Sequence, residues 1–357
     1  MKSVESEIIS RLRWPLMVLV VMLHSSVYQA VDCHRGVIQV PEVYHAFGFV
    51  SYFMCSVFGR VAVPLFYLIS GYVFFRWTDG FTWDTYKGKI SRRIRTLAVP
   101  YLLWNALYIA AFFALSFVTS DSAFDIYRHF DWLAILKQLW VDPPCFPFWF
   151  IRDLMVMCLL TIVTEPLLRH LRWIAPVLLL VIWLGRLWPS FPGTGFLDSH
   201  CIFFLLGACA GIRHLDLPET LRRPSGWLVI TLIFVYVFLG LLETSWRDTE
   251  MSNYMHNFNI LVGIVAAVTL TAYCVRRDVP AIPTWIASSG FFLFGYHGIA
   301  VKMIRNSLLP IIKPASDLAF IGIFAIDFLV TVTVGVLLYN AAVKLIPKTT
   351  ALFCGRK

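Results

Sequence analysis

A neutral imidazole is the side chain best suited to take a proton near pH 7 and return it. His24 ends the apolar run Trp14-Pro-Leu-Met-Val-Leu-Val-Val-Met-Leu-His24, with Arg13 at the foot of that run. Eleven positions separate the two. At about 100° per residue this is three turns plus roughly 20°, so both side chains share one helix face, about 16 Å apart along the axis. One stripe thus carries a cation at a membrane edge and a proton acceptor at mid-depth. The same spacing also suits a snorkelling anchor and a core histidine bonded across helices.

Three further groupings could bear on chemistry. In Gly59-Arg60-Val-Ala-Val-Pro64-Leu-Phe-Tyr67-Leu-Ile-Ser70-Gly71-Tyr72, Pro64 removes a backbone donor, while Gly59, Ser70 and Gly71 permit close helix approach. A helix broken in this way is tolerated where it packs on protein or lines a wet cavity, in which Arg60 could hold a carboxylate or polarise a carbonyl. The alternative is an ion pair of Arg60 with Asp153 or Asp327. The stretch Lys87-Gly-Lys89-Ile-Ser-Arg92-Arg93-Ile-Arg95 offers guanidinium groups suited to phosphate oxygens, or simply marks a cytoplasmic loop. Phe148-Trp149-Phe150-Ile151-Arg152-Asp153 reads as a structural ion pair beneath aromatic residues, or as a sugar-stacking platform. Tyr296, His297 and Asp327 complete the set, each of a kind more often used in packing and hydrogen bonding.

Lipid-spanning helices must position these groups. Of 357 residues, 59% are hydrophobic and 14% charged, which excludes an ordinary soluble domain. A span needs roughly 20 apolar residues. Apolar runs at 14–32, 46–75, 97–119, 147–168, 173–191, 200–215, 226–243, 258–275, 285–304 and 319–345 predict an all-α bundle of about ten transmembrane helices, forming a single domain over 1–357. The net charge of +9 reports topology and gives no reason to expect nucleic acid. With the N-terminus inside, the inner loops and tails hold twenty of the thirty Lys and Arg, the outer side seven, and the spans three, so both termini are expected to be cytoplasmic. The first run reads as a retained span, since it is long and lacks a small-x-small cleavage site. The eight cysteines show no metal-ligand spacing. Cys33 and Cys145 fall in loops, either as a disulfide or as unremarkable thiols.

Taken in order along most of the chain, these residues resemble the acyltransferase-3 family of membrane-bound O-acyltransferases, whose members modify surface glycans. Arg13 and His24 match the family's Arg-x10-His motif. Gly59 to Tyr72 matches its Gly-x-x-x-Val-Pro-Leu-Phe-Phe-x-x-Ser-Gly-Phe/Tyr stretch, with Tyr67 for one Phe. Arg92, Arg93 and Arg95 before Pro100-Tyr101 match its basic cluster at the third span. Trp149-Phe150 is similar to its Trp-Phe element, and Phe291 to His297 to its late Phe-x-x-Tyr-x-x-His segment, although here Tyr296 and His297 are adjacent. The hydrolase-like domain appended in some members is not expected, and Asp327 is the one counterpart for a late acidic residue.

The resemblance implies a multi-pass protein of the cell (inner) membrane that moves an acyl group, usually acetyl, from cytoplasmic acyl-coenzyme A to a hydroxyl of a cell-envelope polysaccharide. No metal is implied. Arg92, Arg93, Arg95 and Arg13 would hold the coenzyme A phosphates. His24 would act as general base or as an acyl-carrying nucleophile, and Arg60 or Arg152 would stabilise the oxyanion. The rival reading is an exporter of an anionic metabolite or lipid-linked sugar, which the broken helix and basic rim would also suit. Transporters of that kind often show related halves, and the sequence shows none.

Overall fold

The computed structural model describes residues 4–25, 45–78, 80–118, 125–189, 197–247 and 249–356. Each predicted apolar run carries a helix: α1 Val4–Ser25, α2 His45–Arg76, α3 Trp83–Ser116, α4 Phe146–Leu171, α5 Ile174–Leu184, α6 Cys201–Ile212, α7 Gly226–Ser245, α8 Glu250–Arg276, α9 Gly290–Ile312 and α10 Asp317–Leu345. A short α11, Pro347–Phe353, comes after them. Among the described residues every regular element is helical, and seven helices are long and apolar enough to cross a membrane. The difference from ten lies in α5 and α6, of 11 and 12 residues, and in α9, which is long but carries Lys302 and Arg305.

Proline explains the two irregular helices that matter most. A proline ring clashes with the carbonyl four residues earlier, so the turns before it must widen or tighten. Ahead of Pro64, α2 passes through a π-helical stretch, Phe53–Phe58, and a 3-10 turn, Gly59–Val61, before resuming as α-helix at Ala62. Arg60 sits in that tightened turn. Ahead of Pro100, α3 is π-helical over Ile94–Ala98, which contains Arg95. In both helices an arginine of interest occupies backbone that departs from α geometry, as π segments often do at functional sites.

The core is densest where α6 meets α2. Ile202, Phe203, Phe204 and Ala208 are fully buried, so this short apolar helix is lined by protein on all sides. Its approach to α2 is backbone to backbone: a Cβ on Gly207 would strike the Leu68 carbonyl oxygen, and one on Gly71 the carbonyl of Phe204. A backbone obstacle cannot rotate away. Gly207→Val is therefore expected to cost about 3 kcal/mol, at the upper end of overpacking effects. The check is the fraction of monodisperse protein remaining after heating in detergent; an unchanged melting midpoint would mean the two helices can part without loss.

Cys33 lies outside the described residues. Cys145 is buried, and its thiol points to the Gly295 carbonyl at 3.7 Å.

Candidate active site

Four helices converge on a cavity of about 160 Å³ lined by His24 of α1, Arg60 and Phe66 of α2, Trp149 and Phe150 of α4, and Phe294 of α9. Met17 and Val20 continue the lining down α1, and Trp14 lies one turn below Met17. Positions 14, 17, 20 and 24 fall on one face at helical spacing. His24 thus faces the interior of the bundle and not lipid.

The His24 ring is held by aromatic contacts. Phe146 meets it edge-on at 4.9 Å between centroids, and His297 of α9 stacks on it at 5.4 Å with an interplanar angle of 27°. His297 is fully buried. Its Nδ1 is 3.1 Å from the Leu293 carbonyl, which makes that nitrogen the donor and leaves Nε2 as an acceptor with no partner. Tyr108 fixes this part of α9 by donating to the Gly295 carbonyl at 2.8 Å and accepting from the Ile299 N–H at 3.0 Å. Lys302 lies over the Phe146 ring at 4.9 Å. The charges of Arg60 and Lys302 both act on His24.

Arg60 makes an ion pair with neither Asp153 nor Asp327. Its Nε is buried and has no hydrogen-bond partner among the described residues. An unpaired guanidinium donor costs free energy in proportion to its burial, so this group is set to receive an acceptor that the protein itself does not supply. Its field also reaches Asp198 and Tyr52.

Arg152 is placed differently. It is fully buried on α4, pairs with Asp153 at 2.8 Å, and donates to the carbonyls of Trp140 at 2.9 Å and Val141 at 2.7 Å. Asp153 in turn accepts from the Asp198 N–H at 3.2 Å. These bonds make Arg152 a clamp between α4 and the last turn of the helix Trp132–Val141, while Asp153 ties in the segment before α6. Arg152 does not line the His24 cavity, whereas Arg60 does. Asp327 is likewise buried away from the cavity, bonded to Thr331 at 3.4 Å and within the field of Arg305.

The basic cluster divides into two groups. Arg92 and Arg95 line a second cavity, of about 450 Å³. Arg93 instead turns toward the Phe74 ring, 5.9 Å away, and acts electrostatically on Arg13. Arg13 is exposed on α1 and lines neither cavity.

Several polar groups near the site carried little signal in the sequence. Asp198 and His200 bond to one another just before α6. Burial works against the Asp198 charge, yet His200 and Arg60 hold its carboxyl down at about 2. Because the folded value lies below the unfolded one, this pairing stabilises the protein above about pH 4 and the contribution is lost as pH falls toward 2. Asp198→Asn is expected to flatten that part of the acid melting profile. If the variant and the parent lose stability in parallel between pH 4 and 2, the pairing carries none of it. Glu243, at the C-terminal end of α7, is fully buried and bonds His256 at 2.7 Å, Asn259 at 3.2 Å and Tyr52 at 3.3 Å. The one sequence signal was an acidic residue closing an apolar run that faces a His and an Asn opening the next.

Comparison with known proteins places this geometry. The sequence profile of the acyltransferase-3 family, described as "Acyltransferase domain", matches residues 8–340. A curated protein of Rhizobium meliloti (strain 1021), "Succinoglycan biosynthesis protein ExoH", is 26% identical over 234 residues, covering 61% of this chain and 59% of the relative. The chain thus spans less than two thirds of that relative's length. No solved structure matches.

Proposed function

We infer the reaction from two facts taken together: the chain belongs to the acyltransferase-3 family, and its His24 shares one cavity with a guanidinium whose buried Nε has no partner. The chain is a multi-pass membrane acyltransferase, which the family match favours over an exporter. The finer reading is transfer of an acyl group, acetyl in the first instance, from acyl-coenzyme A to a hydroxyl of a cell-envelope polysaccharide. It places the protein in the inner membrane with both termini cytoplasmic. The relative named for succinoglycan biosynthesis supports a polysaccharide as the acceptor.

In this reading the donor's phosphates stay at the arginine-lined inner cavity while its thioester reaches His24 along the Trp14, Met17 and Val20 face of α1. The acceptor hydroxyl comes from the opposite side, where Trp149, Asp198 and His200 offer a ring face and hydrogen-bonding groups. His24 takes the hydroxyl proton as the oxygen attacks the thioester carbonyl. The carbonyl oxygen becomes an oxyanion beside Arg60, whose attraction is strengthened by the water-poor surroundings. Collapse of the tetrahedral intermediate breaks the C–S bond. The thiolate leaves and is protonated from the His24 imidazolium, which restores the neutral ring.

The single observation that carries this reading is the shared cavity: a proton acceptor and an unsatisfied oxyanion donor line one space between the outer loops and the inner rim. The test is acceptor-dependent release of free thiol from acetyl-coenzyme A by the purified protein, paired with mass analysis of surface glycans from a deletion strain. Loss of a 42 Da increment, the mass that acetylation adds to a hydroxyl, is expected. If neither acetyl- nor succinyl-coenzyme A is consumed and the glycan masses are unchanged, the donor and acceptor assignments both fall.

A further inference from the structure

The family match ends at residue 340, yet Leu352, Gly355 and Arg356 help to line the inner cavity. Helix α11 ends in a tight reversal. Gly355 adopts a left-handed backbone (φ +63°), its N–H bonds the Leu352 carbonyl at 3.1 Å, and the Arg356 N–H bonds the Ala351 carbonyl at 2.8 Å. This pair of bonds is a Schellman ending, which glycine accommodates at no steric cost. A Cβ on Gly355 would also meet the Thr96 carbonyl at 2.5 Å. The reversal therefore lays the chain directly on the π-helical part of α3. Trp104 secures it by donating to the Phe353 carbonyl at 3.1 Å.

The consequence is a third guanidinium at the inner cavity. Arg356 joins Arg92 and Arg95 in its lining, together with the hydroxyl-bearing Ser91 and Thr96. Arg356 is held in place by neutral groups: it donates to the Tyr339 hydroxyl at 2.7 Å and the Ser288 carbonyl at 2.8 Å, and lies 5.8 Å over the Tyr339 ring. Those two bonds use two of its five N–H donors. Among the described residues no carboxylate forms an ion pair with Arg92, Arg95 or Arg356. Three like charges gathered around one open space repel one another, and an anion between them removes that repulsion.

We propose that residues 347–356 complete a phosphate-binding clasp, with Arg356 as a binding residue for the phosphate groups at the nucleotide end of the acyl donor. This rests on the donor reading given above and extends it to a segment outside the family match. Arg92 and Arg95 approach the phosphates from α3 and Arg356 from the far wall. Ser288, which Arg356 holds, begins the ladder Ser288, Phe291, Phe294 and His297 at three-residue spacing into α9. A donor gripped here is thus anchored at the base of the helix that carries His297.

The experiment measures binding to the purified full chain in detergent, using coenzyme A, adenosine 3′,5′-bisphosphate, and a short-chain phosphatidylglycerol as three separate probes. Arg356→Gln keeps a side chain able to donate to Tyr339 and Ser288 but removes the charge. It is expected to weaken coenzyme A and the bisphosphate by about tenfold to a hundredfold, the range for a charge-assisted hydrogen bond, and to lessen the dependence of binding on salt. Arg356→Lys is expected to recover part of the loss. If Arg356→Gln binds coenzyme A as the parent does, the clasp is overturned while the donor reading stands. If the parent binds neither coenzyme A nor the bisphosphate, the donor reading itself fails. A response confined to the phosphatidylglycerol probe would overturn the clasp's assignment to the donor and give it to a lipid headgroup.

Discussion

His24→Ala is expected to insert and purify like the parent, with a somewhat lower melting midpoint, while transferring acyl groups about a thousandfold more slowly. General-base catalysis typically contributes between about a hundredfold and ten-thousandfold, and in this cavity His24 is the imidazole directed at the same space as Arg60. Removal of the ring leaves Phe146 and His297 facing a gap, a packing loss that a melting curve can measure separately. His24→Gln separates basicity from shape, because it restores volume and hydrogen bonding without a proton acceptor of comparable strength. It should be as inactive as the alanine variant. The readout is acceptor-dependent thiol release at saturating acetyl-coenzyme A. His297→Ala is expected to fall between His24→Ala and the parent, since His297 supports the His24 ring from behind without lining the cavity. A His24→Gln enzyme with more than a tenth of parental activity would move the proton transfer elsewhere. Labelled acetyl groups retained on acid-quenched parent but absent from His24→Gln would turn the base into a covalent carrier.

The elements were legible in the sequence because lipid leaves few options. Ten apolar runs became ten helices, since a backbone in hydrocarbon must satisfy its own hydrogen bonds. Hydropathy could not separate a helix bathed in lipid from one sheathed in protein, and α6 is the second kind. It packs against α2, α4 and α5, so it reads as a span although it is only 12 residues long. The Arg13 and His24 spacing puts both on one face of a helix, but a shared face says nothing of which neighbours close over it: His24 lines the cavity and Arg13 is exposed. Arg93 bends to Phe74 while Arg92 and Arg95 turn to the cavity, a division fixed by tertiary contacts of side chains adjacent in sequence. His297 was less legible than His24 because a histidine in a helix acquires meaning only from what it stacks on. Arg152 is engaged by the adjacent Asp153 and by the carbonyls of Trp140 and Val141, and those two carbonyls, more than ten residues away in the chain, were not legible in the sequence.

The same contrast between Arg60 and Arg152 leads to the second large effect. Arg60→Gln is expected to lower the maximal rate by about a hundredfold to a thousandfold with a much smaller change in the concentration of acyl-coenzyme A needed for half-maximal rate. That is the size of loss seen when an oxyanion donor is removed. A group that meets the carbonyl oxygen only once it carries charge contributes to the transition state and little to donor binding. The orphaned Nε is the structural reason to expect this pattern: among the described residues no protein group accepts from it, so an oxyanion formed in the cavity would meet a donor that no side chain or carbonyl already engages. Arg152→Gln serves as the control. It leaves Asp153 buried without its cation and should cost several kcal/mol of stability, in the range for breaking a buried pair from one side, so its defect appears in melting and yield. A variant at Arg60 that raised the half-saturating donor concentration tenfold or more while keeping the maximal rate would reassign the guanidinium from the oxyanion to ground-state binding of the donor. If Arg60→Gln simply failed to fold, Arg60→Lys would replace it, keeping a charge at the cavity while forfeiting the planar fork. Partial recovery of the maximal rate in that variant is the result the geometry predicts.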